Sequence, residues 1–370
     1  MKFDIVDPKE QARRKKAKKK KSDREFAIMV GLLLLALILL MIYYFTMDNN
    51  TTTPAPTGPK VIQQSRLQVV NENSNERPIA IMIDNNVGNS SQAGLQDSYL
   101  NYEMLVEGGI TRIMAIYKDK DVNLVGPVRS ARHYFIDYAL ESGAVYTHYG
   151  WSTYAEKDIN DLDVNNINGM TDPSPFARDP EVAAPHNVFT STTKLRNYFS
   201  SKGYEEENPN WRLLNYSYSE LDLAPVAEDE DEVLESNNNT AKKADKVSMT
   251  YASNQIRSYT YDANNKYYLR YMNNSPHLDR STKEQLHYKN IIIIKVNNKT
   301  IDNEGRQDLG TTGSGEGYFI TNGGAVDIVW SKDSRSSKTV FSYSNGDPIR
   351  VNDGNTFIQV VPMNSDIVIE

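Results

Sequence analysis

The sequence predicts an α+β protein, in which an N-terminal region of mixed helices and strands precedes a C-terminal region that is mainly antiparallel β. Between residues 76 and 220, short apolar runs alternate with segments that begin at capping residues. Residues 247–370 hold closely spaced apolar and aromatic runs separated by Asn-Gly, Asp-Gly and Gly-Gly turns. An apolar run near the N-terminus predicts in addition that the chain is anchored in a membrane.

This run extends from Phe26 to Phe45 and contains twenty apolar or aromatic residues. At about 1.5 Å per residue, a helix of this length spans roughly 30 Å, the thickness of the hydrocarbon core of a bilayer. Lys and Arg flank it on the N-terminal side only, so we expect residues 1–25 in the cytoplasm and residues 46–370 outside the cell. The run lacks an Ala-x-Ala cleavage site and ends in tyrosines, which favours an uncleaved signal anchor over a cleaved signal peptide.

The charge and composition of the chain limit the kinds of molecule that it is expected to bind. Residues 1–25 contain eleven Lys or Arg and five Asp or Glu, a local charge of 11 − 5 = +6, so residues 26–370 carry −7 − 6 = −13. We expect the basic tail to contact anionic lipid headgroups, and the acidic remainder argues against nucleic acid as a partner. The chain has no cysteine, which excludes disulfides, thiolate nucleophiles and a lipid-modified cysteine, and suits the cell envelope of a Gram-positive bacterium. No cofactor motif is present.

Two breaks in composition define the predicted organisation. Residues 46–75 are rich in Thr, Asn and Pro and are expected to form an extracytoplasmic stalk. Residues 221–246 are acidic and Asn-rich without periodicity, which indicates a solvated linker. These breaks delimit a first domain at 76–220 and a second at 247–370.

The first domain alternates strand and helix signals. Each predicted strand is a short apolar run bounded by turn residues, and each predicted helix has a capping residue before it and a glycine after it. In chain order we expect a strand at 78–83, a hairpin of 99–106 and 110–117 closed by Glu107-Gly108-Gly109, a helix capped by Ser130 that ends near Glu141, a strand at 144–149, and a helix from Ser191 or Thr192 to Gly203.

The second domain is predicted to be a series of strands. We expect them at 256–261, 267–271, 290–296, 318–321, 326–330, 338–343 and 357–361. The glycine-rich string at 313–317 lacks the lysine and the following helix of a phosphate-binding loop, so we interpret it as a turn between strands.

Several long strings in a fixed order resemble the bacterial YerB-like family. In the first domain they are RPIAIMIDN, YEMLVEGGITRIMAIY, VGPVRSARHYFIDYALE, THYGWS and APHNVFTS; in the second, YLRYMNNSPHLD, NIIII, GSGEGYFITNGG, IVWSK and DGNTFIQVVP. The resemblance implies two domains of unestablished function on the outer side of a membrane. Family members look lipid-anchored through a cysteine, whereas this chain has an apolar segment instead.

The first candidate site is an anion clamp around Ser130. If Ser130 caps a helix, free backbone N–H groups and the helix dipole favour an anion there, and Arg129 and Arg132 are placed to bind a phosphate or carboxylate. The alternative is that both arginines pair internally with Asp84, Glu103 or Glu107.

Asp84, Glu103, Glu107 and Arg112 form a second group of candidates. Asp84 follows an apolar strand, and Glu103 and Glu107 share a face of the next strand if no bulge intervenes. Two carboxylates near arginines can perform acid–base or metal-assisted chemistry, or they can fix a hairpin to a helix. The spacing does not demand catalysis, which favours the structural interpretation.

His148 and His186 complete the candidate residues, because both are placed where they could reach a cleft. With Asp84 or Glu103 they could bind zinc or a similar ion. Neither they nor His133 show the spacing of a metal-binding pair, however, which favours hydrogen bonding to a loop, and no residue is assigned to a metal site. The most direct interpretation of the whole chain is an anchored envelope protein that binds a partner protein or a wall glycopolymer. The alternative is an enzyme that acts on a phosphate-bearing glycopolymer or lipid-linked substrate, an analogy of layout with the LytR-CpsA-Psr phosphotransferases.

Overall fold

A computed structural model of the protein describes residues 19–21, 29–37, 39–41, 67–223 and 241–370. The chain divides into two compact units, residues 1–62 and residues 63–370. In the first unit, residues 29–37 and 39–41 are helical, and the rest of the predicted span at 26–45 lies outside the described residues. Within the part of the chain that the structure describes, no helix has the length and hydrophobicity that crossing a bilayer requires.

The second unit consists of strands with a few helices. Its described α-helices are α1 (His133–Glu141), α2 (Thr153–Asp161) and α3 (Thr192–Lys202), and two short 3-10 helices lie at Leu95–Asp97 and Glu107–Gly109. The strands up to residue 252 are β1 (Ile79–Asp84), β2 (Leu100–Leu105), β3 (Thr111–Tyr117), β4 (Val145–His148), β5 (Asn166–Asn168), β6 (Ala177–Arg178), β7 (Val188–Phe189), β8 (Lys242–Lys243) and β9 (Lys246–Ala252). The later strands are β10 (Gln255–Asp262), β11 (Tyr267–Met272), β12 (Ser275–Pro276), β13 (His287–Tyr288), β14 (Asn290–Val296), β15 (Asn298–Thr300), β16 (Gln307–Leu309), β17 (Gly313–Thr321), β18 (Gly324–Lys332), β19 (Val340–Tyr343), β20 (Thr356–Pro362) and β21 (Ile367–Ile369).

An eleven-stranded mixed sheet runs through both predicted domains. Its strand order is β19-β18-β17-β14-β20-β2-β3-β1-β4-β5, and β8 pairs with β18. Strand β20 lies between β14 and β2 and is parallel to both. A six-stranded antiparallel sheet has the order β12-β11-β10-β9-β21, with β13 paired to β11. The α+β class is therefore confirmed, but strands from both predicted domains contribute to one sheet.

The central sheet is covered on both faces. Alternate residues of a strand point to opposite faces, so Ala80 and Met82 belong to one apolar cluster and Ile79 and Ile81 to the other. The first cluster includes side chains of α1 and α2, and we call this side the helix-covered face. The second cluster includes side chains of β9, β10, β11 and α3, and we call this side the sheet-covered face.

Two local predictions for the first domain are confirmed. The hairpin pairs β2 with β3 in antiparallel register, and Gly108 and Gly109 in its turn have φ angles of 70° and 71°. Helix α3 begins after Ser191, whose hydroxyl accepts a hydrogen bond from the backbone N–H of Lys194, and ends at Gly203 with φ 67°. Local capping and turn chemistry decide both boundaries.

The predicted start of the first helix is wrong. Helix α1 begins at His133, its N-cap residue is Arg132, and the Ser130 hydroxyl instead donates to the carbonyl of Tyr149. The backbone before α1 is extended because it adds hydrogen bonds to its neighbours: Arg129 N–H donates to the carbonyl of Met82. An anion site built on a Ser130-capped helix is therefore excluded.

The glycine string at 313–317 is part of strand β17 and not a turn. The side chain of Trp330 and the carbonyl of Ile293 occupy the space where side chains at Gly315 and Gly317 would begin. Glycine is needed there for close approach within the sheet.

Helix α2 was not predicted because its apolar periodicity is weak. Only Ala155 and Ile159 are buried on it, and the rest of the helix is polar or exposed. Its start is nevertheless well defined, since the hydroxyl of Ser152 accepts a hydrogen bond from the backbone N–H of Ala155.

Part of the predicted stalk belongs to the folded unit. Residues 46–66 lie outside the described residues, but Leu67 and Val70 are buried in the cluster on the helix-covered face. Their apolar side chains explain the difference, because the Thr- and Pro-rich composition ends before them. Most of the predicted linker, residues 224–240, also lies outside the described residues.

Candidate functional site

The candidate site lies at the carboxyl end of strand β1, where the notable pair is Asp84 and Arg112. These residues lie directly opposite each other in the β1–β3 register. Opposed residues on antiparallel strands point to the same face, and the even-numbered residues of β1 lie on the helix-covered face. Asp84 and Arg112 are buried, with exposed fractions of 2% and 5%.

The carboxylate of Asp84 organises its surroundings. Its Oδ2 lies 2.6 Å from Nδ1 of His186 and 3.0 Å from Nε of Arg129, and its Oδ1 accepts from the backbone N–H of Asn86 at 2.9 Å. His186 and Arg129 are more open, with 31% and 24% of their side chains exposed. Asp84 therefore holds a histidine and an arginine at the rim of the protein.

Arg129 is held by the extended segment that precedes α1. Its backbone N–H donates to Met82, its carbonyl accepts from Tyr149 N–H, and its Nη1 lies 3.4 Å from the carbonyl of Pro185. This last contact ties Arg129 to the loop that carries His186. The segment thus brings residues of three separate parts of the chain to one place.

Arg132 and Glu107 form a separate pair. The Nε and Nη2 atoms of Arg132 donate to the two oxygens of Glu107 at 2.5 and 2.8 Å. Burial by itself raises the pKa of Glu107, but the Arg132 guanidinium holds it below its ordinary value. Arg132 is thus neutralised by Glu107 as Arg129 is by Asp84, which agrees with the alternative of internal pairing.

Arg112 is different, because no carboxylate among the described residues forms an ion pair with it. Its Nη1 donates to the carbonyl of Ser130 at 2.6 Å. Burial lowers the pKa of Arg112 to about 10; repulsion from Arg132 and Arg129 adds to this shift, and Glu107 opposes it. Arg112 is therefore a buried cation that its neighbours leave under-neutralised.

The charges around Arg112 do not cancel. Arg112, Arg129 and Arg132 supply three positive charges, whereas Asp84 and Glu107 supply two negative ones. The remaining positive charge belongs to a guanidinium whose Nε and Nη2 have no hydrogen-bond partner within residues 67–223 and 241–370. An anion at this position would neutralise the remaining positive charge and accept hydrogen bonds from these two nitrogens.

Glu103 is not part of this site, although it is one of the candidates from the sequence. It lies on the sheet-covered face with 0% of its surface exposed. Nε of Arg257 and Nη2 of Arg270 donate to its two oxygens at 2.6 Å each. Thr111 and Asn85 donate to the same carboxylate at 2.7 Å. Glu103 and Glu107 therefore bind different arginines and do not form one pair of carboxylates.

This buried cluster joins the two sheets. Burial alone raises the pKa of Glu103, but Arg257, Arg270 and Thr111 together hold it below its ordinary value. Arg270 also donates to Nδ1 of His277 at 3.0 Å and lies over the ring of Phe357. We call Glu103, Arg257 and Arg270 with these neighbours the buried ion cluster; its polar atoms face one another and form a structural joint rather than an open site.

The two remaining histidines of the first domain are not in the candidate site. His148 is fully buried; its Nδ1 donates to the carbonyl of Gly150 at 2.8 Å, and its Nε2 lies 3.2 Å from Oδ1 of Asn166. Burial lowers the pKa of His148 to about 4, against the opposing effect of these oxygens. His133 lies 3.2 Å from Asp308. Among the described residues no group of three or more acidic or histidine side chains is arranged to hold a metal ion.

Three cavities in the described part of the chain lie away from the arginines of the site. One of about 340 Å³ adjoins β19, one of about 380 Å³ is lined by Asp97, Lys120 and His287, and one of about 220 Å³ adjoins α3. None of the three is lined by Asp84, Arg129 or His186. The candidate site is therefore separate from these three cavities.

Comparison with known proteins identifies the family. The N-terminal domain of the family described as "Protein of unknown function (DUF3048)" matches residues 66–205, and its C-terminal domain matches residues 247–358. The chain belongs to this family, and the resemblance to YerB-like proteins is confirmed.

The comparison extends to a protein of Bacillus subtilis. "Putative lipoprotein YerB" of Bacillus subtilis (strain 168) is 28% identical over 293 residues, which cover 77% of this chain and 81% of that protein. The crystal structure of the YerB protein from Bacillus subtilis matches with a TM-score of 0.67 at 26% identity and covers 79% of this chain and 94% of that chain. The family carries no established activity.

Proposed function

We propose that this protein is an anchored cell-envelope binding module that holds an anionic group of an envelope component at Arg112 and Arg129. The observation that supports it is the buried guanidinium of Arg112, which has no carboxylate partner among the described residues and lies beside two arginines that do. A buried unpaired cation destabilises a fold, so its presence favours a ligand-binding role.

The chemistry of the site favours a phosphate or carboxylate. A guanidinium presents its N–H groups in a planar fork that matches two oxygens of such an anion. Arg129 and His186 are partly exposed, so an anion can approach from solvent, whereas Arg112 lies deeper. Wall glycopolymers and lipid-linked precursors carry such groups, which makes them the expected partners.

Replacement of Arg112 with methionine tests the proposal. Methionine fills similar space without a charge, so we expect the Arg112→Met variant to be as stable as the wild type or more stable. We expect its affinity for inorganic phosphate to fall at least about tenfold, since a charge-assisted hydrogen bond contributes roughly 1.5–3 kcal/mol. Titration calorimetry of the full chain in detergent, with urea unfolding in parallel, measures both.

The matched control is Arg212→Met, which removes the same charge from a partly exposed arginine paired with Glu72. We expect it to bind phosphate as the wild type does. Equal phosphate affinity in the Arg112→Met variant would reject Arg112 as the anion ligand.

We further propose that residues 26–45 form a single membrane span, with residues 1–25 inside the cell and the folded unit outside. The unbroken apolar run and its one-sided basic flank support this topology. The name of the relative, "Putative lipoprotein YerB", agrees with an anchored protein on the outer face.

Protease treatment of intact protoplasts checks this topology. We expect an antibody against the C-terminal region to lose its full-length signal, because that region is exposed to the medium. A cytoplasmic protein probed in the same sample controls for lysis. Protection of the C-terminal region in intact cells, with digestion after lysis, would exclude the proposed orientation.

A further inference from the structure

We infer that His186, oriented by Asp84, is a proton-transfer residue and that this site hydrolyses a phosphodiester. The inference rests on the proposed function, because it takes the anion held by Arg112 and Arg129 to be the reacting group. Beyond binding, the site would then catalyse a hydrolysis, with His186 as the general base.

The geometry of the histidine carries the first step. The Nδ1–H of His186 donates to the buried carboxylate of Asp84 at 2.6 Å, which fixes the tautomer and leaves a lone pair on Nε2. Within the described residues Nε2 has no hydrogen-bond partner, and 31% of the side chain is exposed. A buried carboxylate on one nitrogen and an open second nitrogen are what a general base requires.

The same carboxylate connects the base to the anion site. Oδ2 of Asp84 accepts from His186 and also lies 3.0 Å from Nε of Arg129. An anion on the free side of the Arg129 guanidinium therefore lies close to the imidazole. Arg112 lies opposite Asp84 in the β1–β3 register, and we take its guanidinium to be the second cation of the site.

Charge selects the substrate class. Arg132 is neutralised by Glu107, so the local balance is Arg112 and Arg129 against Asp84, which is +1. A phosphodiester is a monoanion at neutral pH and cancels this charge. Negative charge builds up on the phosphoryl oxygens as an attacking oxygen approaches, so the two guanidinium groups bind the transition state more strongly than the ground state.

The reaction balances with water as the co-reactant. Nε2 of His186 takes a proton from a water molecule, the water oxygen forms a new bond to phosphorus, and the bond from phosphorus to the leaving alcohol oxygen breaks. Solvent protonates the departing alkoxide, and His186 returns its proton to solvent. The products are a phosphomonoester and an alcohol.

The experiment compares turnover with binding in the same preparations. The full chain in detergent is assayed with bis(p-nitrophenyl) phosphate in the presence of EDTA, and phosphate affinity is measured by calorimetry. We expect turnover by the wild type, a loss of at least about 100-fold in His186→Gln, and phosphate affinity in that variant within about twofold of the wild-type value. The diester should be preferred over p-nitrophenyl phosphate.

A further readout separates catalysis from structure. The pH–rate profile of the wild type should differ from that of the residual activity of His186→Gln, because glutamine cannot accept a proton from water. The control His287→Gln replaces a histidine stacked on Tyr267 and should keep the full rate and profile.

The outcomes distinguish the two proposals. Phosphate binding without diester turnover overturns the hydrolase inference and leaves the binding function standing, whereas absence of both overturns both. Turnover that is equal in the wild type and His186→Gln, or that disappears with EDTA, belongs to a contaminating phosphodiesterase and overturns the inference.

Discussion

Replacement of Glu103 with glutamine is expected to destabilise the protein by about 3–5 kcal/mol. The substitution keeps the shape of the side chain but removes the negative charge between Arg257 and Arg270, both of which are 0% exposed. Two buried guanidinium groups then face each other without a counter-ion, and their desolvation is no longer offset. Urea unfolding followed by tryptophan fluorescence measures the loss.

The control for this effect is a carboxylate with a similar partner at the surface. Glu304 pairs with Arg306, but 70% of its side chain is exposed, so Glu304→Gln should change the free energy of unfolding by less than about 1 kcal/mol. The double variant Glu103→Gln/Arg270→Met should recover part of the lost stability, because one uncompensated charge is gone. If Glu103→Gln unfolds at the wild-type urea concentration, the buried ion cluster is not a joint between the sheets.

The second large effect is a loss of stability on acidification, to which His148 contributes. Its pKa is about 4 in the folded protein, against an ordinary value of 6.5. The unfolded chain therefore takes up a proton at a pH where the folded protein does not. This difference in pKa contributes to the free energy of unfolding, fully above pH 6.5, and the contribution is lost as the pH falls toward 4. The total loss is about 3 kcal/mol.

The measurement compares how steeply the free energy of unfolding changes with pH, and not its absolute value, because the loss of a buried side chain changes stability at every pH. Urea unfolding at several pH values between about 7.5 and about 4.5 should show a shallower decline in His148→Gln than in the wild type. The pKa of His277 is also lowered by burial and by Arg270 and Arg257, so part of the slope should persist. A decline in His148→Gln as steep as that of the wild type would contradict the assignment.

Local signals predicted the local structure. The turn at Gly108 and Gly109 needs positive φ angles, and the start of α3 needs the hydroxyl of Ser191, so both could be located from the residue types alone. The glycines of β17 were wrongly interpreted as a turn, because the reason for glycine at these positions lies in neighbouring strands. They make room for Trp330 and for the carbonyl of Ile293, whose positions depend on the pairing of three strands.

The candidate site could be predicted only in part. Asp84, Arg129 and His186 were each recognised as candidates, but Asp84 and His186 are 102 residues apart, and no spacing rule pairs them. Arg257 and Arg270 were missed altogether. Arginines in strands are usually solvated, and their burial follows from the packing of one sheet on the other. The sequence shows residue types, whereas the partner of each charge is decided by tertiary structure.

Strand β20 has a consequence for genetic work on this family. It comes from the C-terminal region and lies in the middle of the large sheet, where it separates β14 from β2. A deletion that removes the later half of the gene leaves β2 with a bare, apolar edge, which promotes aggregation. Loss of function in such truncations therefore says little about which half carries an activity, and chimaeras between relatives need to exchange both halves together.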